Sequence, residues 1–427
     1  MRRLIGPLTT AAALVGIFIL LAHHKPVPSD GRMPRDLNGT LTNAMSDTSS
    51  LSKLDRDIST YMQYWHIQGL SLSIMRNDSL LYSKGYGWAD KEKGEEMTPG
   101  HILRLASVSK LITATGIMKL QEEGLLTLED KVFGPEGILC DSTYSAIIKD
   151  KNYYKITVEH LLRHKGGFTT SAGDPMFSTR DIMYLNGLKT PPDHETLVRT
   201  QLKRKLRFEP GTSQSYSNFG YLLLSMIIEK ITGEDYEPWI QSNILMPAGC
   251  MDMHIANNYY SEKYDNESRY YVQDDDELVN EYNNSGRMVI RCYGGNDIKA
   301  LSGAGAWVAS TPELARFVAS IDARPEVPDI INPESVRQMT EYFDPETYSL
   351  GWNDTKPTGE WTRTGTFSGT SALIKYFPDG ECWILVTNTS TWKGPGLARY
   401  TTELFQKSRA KYSVLLPSRD FFYYDPE

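Results

Sequence analysis

The run Arg104-Leu-Ala-Ser-Val-Ser-Lys110, continuing as Leu111-Ile-Thr-Ala-Thr-Gly-Ile-Met-Lys-Leu-Gln-Glu-Glu-Gly124, reads as a helix that starts near Ser107 and stops at Gly124. Residues three apart share a helix face, so this spacing sets the Ser107 hydroxyl beside the Lys110 amine. The unpaired amides of a helix start favour negative charge, which suits a serine about to become an alkoxide. That is the layout of an acylating serine whose proton passes to a lysine. The bland alternative is an N-cap serine with a solvated lysine, and the local sequence does not choose between them. A second match, Ser50-Leu-Ser-Lys53, lies in polar sequence with no helix expected behind it and is set aside as chance.

Working outward, Gly69-Leu-Ser-Leu-Ser-Ile-Met75, a turn at Asn77-Asp78 and Leu80 to Trp88 read as a hairpin that delivers the chain to the Ser107 helix. Residues 131 to 300 are mostly helical, with segments at Thr157–His164, Glu195–Lys205 and Phe219–Gly233. The acidic run Asp274-Asp-Asp-Glu277 fits no calcium loop and reads as a solvated loop or hairpin tip. After a helix start at Ser310-Thr-Pro-Glu313 the chain turns strand-rich: Leu350–Trp352, Glu360–Gly365, Ser371–Phe377 and Cys382–Thr387. Pro378-Asp-Gly380 joins the last two as a hairpin. Strands at both ends around a helical middle imply an α+β fold: a mainly antiparallel sheet flanked by helices, with an inserted helical lobe at about 131–300. The cleft between sheet and lobe is the natural substrate site.

With 427 residues, the chain holds one large domain or two intimately packed ones. A formal net charge of −8, with no clustered Lys and Arg, excludes a nucleic-acid surface. The four cysteines are scattered and form no Cys-x-x-Cys pair, which argues against structural zinc. His160 and His164 are spaced i, i+4, but no carboxylate stands at a zincin position, so neither a metal nor another cofactor is expected. Arg2-Arg3 ahead of the apolar stretch Leu4 to Ala22 reads as a signal peptide or uncleaved anchor over residues 1–22. That puts the body on the extracytoplasmic face of the cell envelope, held at the membrane by residues 4–22. Residues 23–50 read as a polar tether, 51–405 as the domain and 406–427 as a C-terminal tail.

Two further elements carry chemistry. Tyr216-Ser-Asn218 follows the turn Pro210-Gly211 and opens an apolar helix, which puts its tyrosine at a lobe edge as a proton-transfer group. The alternative is a partly buried tyrosine with Asn218 as N-cap. In Arg363-Thr-Gly365-Thr366, the glycine inside a strand signals close approach of a ligand or of backbone. Arg363 offers a cation for a substrate carboxylate, and the Thr366 N–H a second oxyanion donor beside that of Ser107. The alternative there is an edge strand with a surface arginine.

In this order, Ser-x-x-Lys, Tyr-x-Asn and a basic/Thr/Gly strand resemble the serine β-lactamase and penicillin-binding-protein superfamily. The likeness is to its class C branch of D-Ala-D-Ala carboxypeptidases, D-aminopeptidases and β-lactamase-like esterases. It spans about Ile67 to Asn388 and includes Val158-Glu-His-Leu-Leu-Arg-His-Lys-Gly-Gly-Phe168 and Gly303-Ala-Gly-Ala-Trp307. The resemblance implies Ser107 as nucleophile, Lys110 and Tyr216 as proton carriers and Asn218 in contact with Lys110 or substrate, with Arg363, Thr364, Gly365 and Thr366 along the substrate. Arg363 stands where the family usually has Lys or His, and arginine cannot release a proton, which puts a proton-shuttle role there in doubt. His164-Lys-Gly-Gly167 replaces a His-Thr-Ser-Gly loop and is expected to reshape a loop without touching the chemistry. The expected activity is an acyl-enzyme hydrolase of small amides or esters, with cell-wall D-Ala peptides or β-lactams first because of the Arg363 clamp. An esterase, or an acylatable sensor domain that does not turn over, is the alternative.

Overall fold

The computed structural model describes residues 32–168, 173–273, 278–344 and 347–424. Period-two alternation sets the first strand, β1 (Gly69–Arg76), with Leu70, Leu72 and Ile74 on one face and Ser71 and Ser73 on the other. Asn77 and Asp78 both take positive φ, +46° and +56°, which is what a tight hairpin into β2 (Ser79–Asp90) requires. β3 is Glu95–Glu96. Late in the chain come β4 (Asp354–Thr355), β5 (Trp361–Phe367), β6 (Thr370–Tyr376) and β7 (Glu381–Thr387). Together they form one seven-stranded sheet in the order β4-β5-β6-β7-β1-β2-β3. The two ends of the chain meet where β7 pairs antiparallel with β1, Leu70 opposite Thr387 and Arg76 opposite Glu381.

The helices that position the site are α1 (Ser52–Trp65), α2 (Ser109–Glu122), α3 (Asn218–Thr232), α4 (Thr311–Ala319) and α5 (Leu397–Tyr412). The sheet separates two cores. On the outer face, Leu54, Ile58 and Trp65 of α1 and Leu397 and Phe405 of α5 pack against Leu70, Leu72, Trp383 and Leu385. On the inner face, Ala372, Ile374, Ile384 and Val386 pack with residues of α2, α3 and α4. Each such side chain withdrawn from water contributes about 1.5–3 kcal/mol. Ser71 and Ser73 are small enough to admit the start of α4, and both hydroxyls lie within 2.9 Å of Thr311 Oγ1. α2 is buried all the way from Ser109 to Met118, the pattern of a helix that runs through an interior rather than over it. It ends where Gly124 adopts φ +68°.

Several boundaries differ from the sequence reading. Leu350-Gly-Trp352 is not a strand: Gly351 bends at φ +84° and lies against α2, where a Cβ would come within 2.8 Å of the Ala114 methyl. Residues 32–50 are not a free tether. Leu37 and Leu41 are buried in the inner core, and the Arg35 N–H donates to the Phe422 carbonyl. Nor is the chain beyond residue 405 a tail: α5 runs on to Tyr412, and Phe421, Phe422 and Tyr423 are buried beside the 32–50 segment. A polar composition hid these contacts because a few spaced apolar residues suffice to pin a segment. α1 starts at Ser52, inside the match Ser50-Leu-Ser-Lys53 where no helix was expected, but Ser50 and Lys53 are both exposed. The stretch read as signal or anchor and the run Asp274–Glu277 lie outside the described residues. Among the described residues, no helix is long and apolar enough to cross a membrane.

Replacing Leu37 by Ala in the full chain is expected to lower stability to urea by about 2–4 kcal/mol, the usual cost of emptying a buried leucine site. A freely solvated tether would show no change.

Candidate active site

The chain reaches the site through a short 3-10 turn, Ala106–Val108, that runs into α2. Ala106 is held at φ +47°, a left-handed conformation that costs a non-glycine residue about 1–3 kcal/mol and persists only where its surroundings impose it. Strand β5 supplies that constraint. Gly365 lies so close to the turn that a Cβ there would sit 2.1 Å from the Leu105 carbonyl oxygen and 3.1 Å from the Ser107 nitrogen. The glycine in the strand therefore marks backbone approach, one of the two readings its position allowed.

Lys110 is fully buried. Its Nζ lies 3.3 Å from Ser107 Oγ, 2.8 Å from Asn218 Oδ1 and 2.5 Å from the Ala304 carbonyl oxygen. The Ala304 carbonyl is presented by a kinked turn in which Ser302 takes φ +41° and Thr113 of α2 donates to the Gly303 carbonyl. Burial, helped by the nearby Arg363 guanidinium, lowers the Lys110 ammonium from its ordinary value, against the upward pull of Tyr216 and Asp174.

Tyr216 reaches the same point from the start of α3. Ser217, not Asn218, caps that helix by accepting the Gly220 N–H, which leaves the Asn218 side chain for Lys110. The Lys110 Nζ stands 4.9 Å from the centre of the Tyr216 ring, and Arg363 Nη2 lies 3.4 Å from its hydroxyl. Burial by itself would raise the phenol, but the two cations outweigh it and bring it down to about 8.

Arg363 does not lie on the cleft surface. It is fully buried, and its Nε donates to the Ser107 carbonyl at 2.8 Å while Nη2 donates to the same oxygen. The expected carboxylate clamp is therefore corrected: the guanidinium sits beneath the serine, braces its backbone and acts on Lys110 and Tyr216 through its charge. Thr364 and Thr366 do line the cleft. The Asn353 N–H donates to the Thr362 carbonyl, and the Asn353 side chain accepts the Thr364 N–H at 2.6 Å. These bonds show which residues of β5 turn their backbone groups away from β6. Thr366, two residues further on, turns the same way, past the end of β4, which pairs with Trp361 and Thr362. Its N–H accordingly faces the cleft near the amide of Ser107.

The sequence reading missed four residues. His164 stacks on Tyr216 with ring centres 4.3 Å apart, and its Nδ1 accepts the Ser217 N–H. Burial, with Lys110 and Arg363 nearby, holds its imidazole well below the usual range and hence neutral. The expectation that the His164–Gly167 loop leaves the chemistry untouched is thus revised. Asp174 accepts the Asn218 Nδ2 at 2.8 Å, Ala304 binds Lys110, and Asn353 lines the cleft. His164 and Ala304 lay in stretches that the sequence brought forward, Val158–Phe168 and Gly303–Trp307, though neither was given a role there. His160 does not face His164 as a metal pair would, since its ring caps its own helix by accepting the Thr157 N–H.

The cleft above Ser107 has a volume of about 310 Å³. Phe177 and Phe367, stacked 5.9 Å apart, join Leu301 and Pro395 as its apolar walls, and Asn218, Asn353, Thr364 and Thr366 supply polar groups. Among the described residues, none that lines it carries a formal charge. A family model described as Beta-lactamase matches residues 54–406. The chain belongs to that family. Its fold and this family place it among the serine hydrolases related to β-lactamases and penicillin-binding proteins. It is similar to penicillin-binding protein 4* of Bacillus subtilis (strain 168), 30% identical over 203 residues, which cover 46% of this chain and 40% of that protein. The putative penicillin-binding protein PbpX of the same organism is 25% identical over 80% of this chain and 76% of its own length. The octameric penicillin-binding protein homologue from Pyrococcus abyssi superposes with a TM-score of 0.62 at 25% identity, covering 84% of this chain and 77% of that one. The chain thus spans less than half the length of the first of these relatives.

Because Arg363 lowers both Lys110 and Tyr216, Arg363→Ala should raise both groups. The acid limb of the rate of Ser107 acylation by a fluorophosphonate is then expected to move to higher pH. Labelling measured between pH 5 and 10 checks this; an unmoved limb contradicts the charge effect.

Proposed function

We propose that the chain is a serine hydrolase that forms an acyl-enzyme at Ser107 and acts on uncharged amides or esters. The observation that carries this reading is the convergence on one hydroxyl of a buried, acidified lysine and a phenol held at about 8. Neutral Lys110 takes the Ser107 proton as Oγ bonds to the substrate carbonyl carbon. The carbonyl electrons move to oxygen, where the N–H groups of Ser107 and Thr366 hold the charge. As the tetrahedral centre collapses, the bond to the leaving amine or alkoxide breaks and that group takes the Tyr216 proton. The Lys110 ammonium then reprotonates the phenolate. Water enters the vacated space and gives a proton to Tyr216 as the phenol passes its own to neutral Lys110; the hydroxide adds to the acyl carbon, and as the acyl–Oγ bond breaks the Lys110 ammonium returns the proton to Ser107. Arg363 keeps its charge throughout and moves no proton.

The same geometry orders the substrates. A carboxylate placed in this cleft would meet apolar walls and neutral amides or hydroxyls, because the buried guanidinium lies under the serine, with Nε and Nη2 on the Ser107 carbonyl, and does not line the cleft. Neutral acyl groups that lie against the stacked Phe177 and Phe367 suit it better, so neutral amide and ester substrates rank ahead of D-Ala peptides and β-lactams. The names of the relatives keep penicillin in view, a carboxylate-bearing β-lactam that would have to find its cation outside these walls. If residues 1–22 act as an export segment, this chemistry works on the outer face of the membrane.

Wild-type protein is expected to be labelled covalently by a fluorophosphonate and Ser107→Ala not at all; folded wild-type protein that resists every acylating probe would falsify the assignment. Arg363→Ala should reduce kcat/KM for a neutral ester and for a matched carboxylate-bearing ester by the same factor, within about threefold. A loss confined to the carboxylate-bearing substrate would restore the clamp.

A further inference from the structure

Lys110 can act as a base only when neutral, and a neutral amine has two N–H groups and one lone pair. Its Nζ meets the Ala304 carbonyl oxygen, Asn218 Oδ1 and Ser107 Oγ, and the Tyr216 phenol, which can donate or accept, stands beside it. The carbonyl is an acceptor and nothing else. If the Asn218 atom facing Lys110 is also oxygen, the two N–H groups are committed to those partners and the lone pair is left for the Ser107 proton. If Asn218 is turned over, its NH₂ faces Lys110, claims the lone pair and leaves Ser107 without a base. The activity of the lysine therefore depends on which way a single amide points, and the shape of an amide does not decide that; its partners do.

The partner is Asp174. One of its oxygens, Oδ2, accepts the Asn218 Nδ2 at 2.8 Å; the other, Oδ1, accepts the Met176 N–H at 3.0 Å and caps the short turn Pro175–Phe177. An ionised carboxylate only accepts, so it holds the NH₂ of Asn218 and turns the oxygen toward Lys110. We propose that Asp174 is a positioning residue for the acylation step: by fixing the orientation of the Asn218 amide it aims the Lys110 lone pair at Ser107. This inference rests on the reading of Lys110 as the base. The same turn carries Phe177, an apolar wall of the cleft, so the segment that meets substrate also sets the base.

The substitution Asp174→Asn tests this sharply. An asparagine has one accepting and one donating end. If it keeps its oxygen on the Met176 N–H, it presents NH₂ to Asn218 and reverses that amide; if it keeps its oxygen on Asn218, it sets a donor against the Met176 N–H. Loss of the carboxylate charge and reversal of the amide both disfavour the Lys110 ammonium, as burial and Arg363 already do, whereas Tyr216 favours it; the Tyr216 and Tyr221 rings lie beside it, and neutral His164 packs on Tyr216. Turnover of the neutral ester p-nitrophenyl butyrate and the fluorophosphonate labelling rate, measured across pH 5–10, are the readouts. Asp174→Asn is expected to lower kcat by about tenfold or more with KM nearly unchanged, and to move the acid limb to lower pH. Asp174→Glu, which keeps charge and acceptors, should recover most of the rate. In an Asn218→Ala background, Asp174→Asn should cost almost no further kcat, because there is no amide left to orient, and only the charge-driven move of the acid limb should remain.

Asp174 is half-exposed on a loop, and melting temperatures taken alongside separate rate loss from unfolding. A wild-type rate and profile in Asp174→Asn overturns the proposal, as does a reduced rate with an unmoved acid limb, or an undiminished loss of kcat in the Asn218→Ala background. Wild-type protein that cannot be acylated overturns the hydrolase reading instead.

Discussion

An amine taken out of water costs several kcal/mol unless its hydrogen bonds are replaced, and Lys110 sits where three separate pieces of chain must meet to replace them. Its own helix brings Ser107, the start of α3 brings Asn218, and the kinked turn at Ser302–Ala304 brings a carbonyl. None of these is close to the others in the chain. The helical lobe and the turn beyond it must therefore both be docked on α2 before the lysine is satisfied, so the chemistry and the packing of these segments impose the same requirement.

Charge then sets the roles. Two cations stand beside one phenol, and their charge, with the hydrogen bonds from Lys110 and Ser107, outweighs the burial that would keep Tyr216 protonated. The same guanidinium makes Lys110 hold its proton less tightly, so a single buried arginine makes both proton carriers readier to give a proton up. Lysine at the Arg363 position would supply charge without the planar fork that lets Arg363 grip the Ser107 carbonyl with two nitrogens. The arginine braces the backbone of the serine and tunes its neighbours, and it does so at the expense of contact with substrate.

Backbone geometry completes the site. The left-handed Ala106, the glycine at 365 and the bend at Gly351 all sit where one segment crosses another at less than a side chain's distance. Each of these positions joins the Ser107 turn or α2 to the sheet region beyond residue 350. A methyl group added at Gly365 would push β5 off the nucleophile turn and carry the Thr366 N–H with it.

The hairpin at Asn77-Asp78, the course of α2 and the meander from β5 to β7 were legible in the sequence. Local rules decide them: alternation, turn residues and a glycine stop act over a few neighbours. Ser107, Lys110, Tyr216 and Asn218 were legible as candidates for the same reason, since each sits at a helix start that its own neighbours define. The docking of residues 32–50, the burial of Arg363 and the parts of His164, Asp174 and Ala304 were not legible. An arginine in a strand reads alike whether its side chain faces solvent or a backbone carbonyl far away in the chain, and an aspartate that caps a turn gives no sign of the amide it holds. Residue types and their order determined which chemistry this protein has at hand. Only the packing of sheet against lobe decided which groups face the cleft, because burial and hydrogen-bond partners come from segments remote in the chain, beyond the reach of any local pattern.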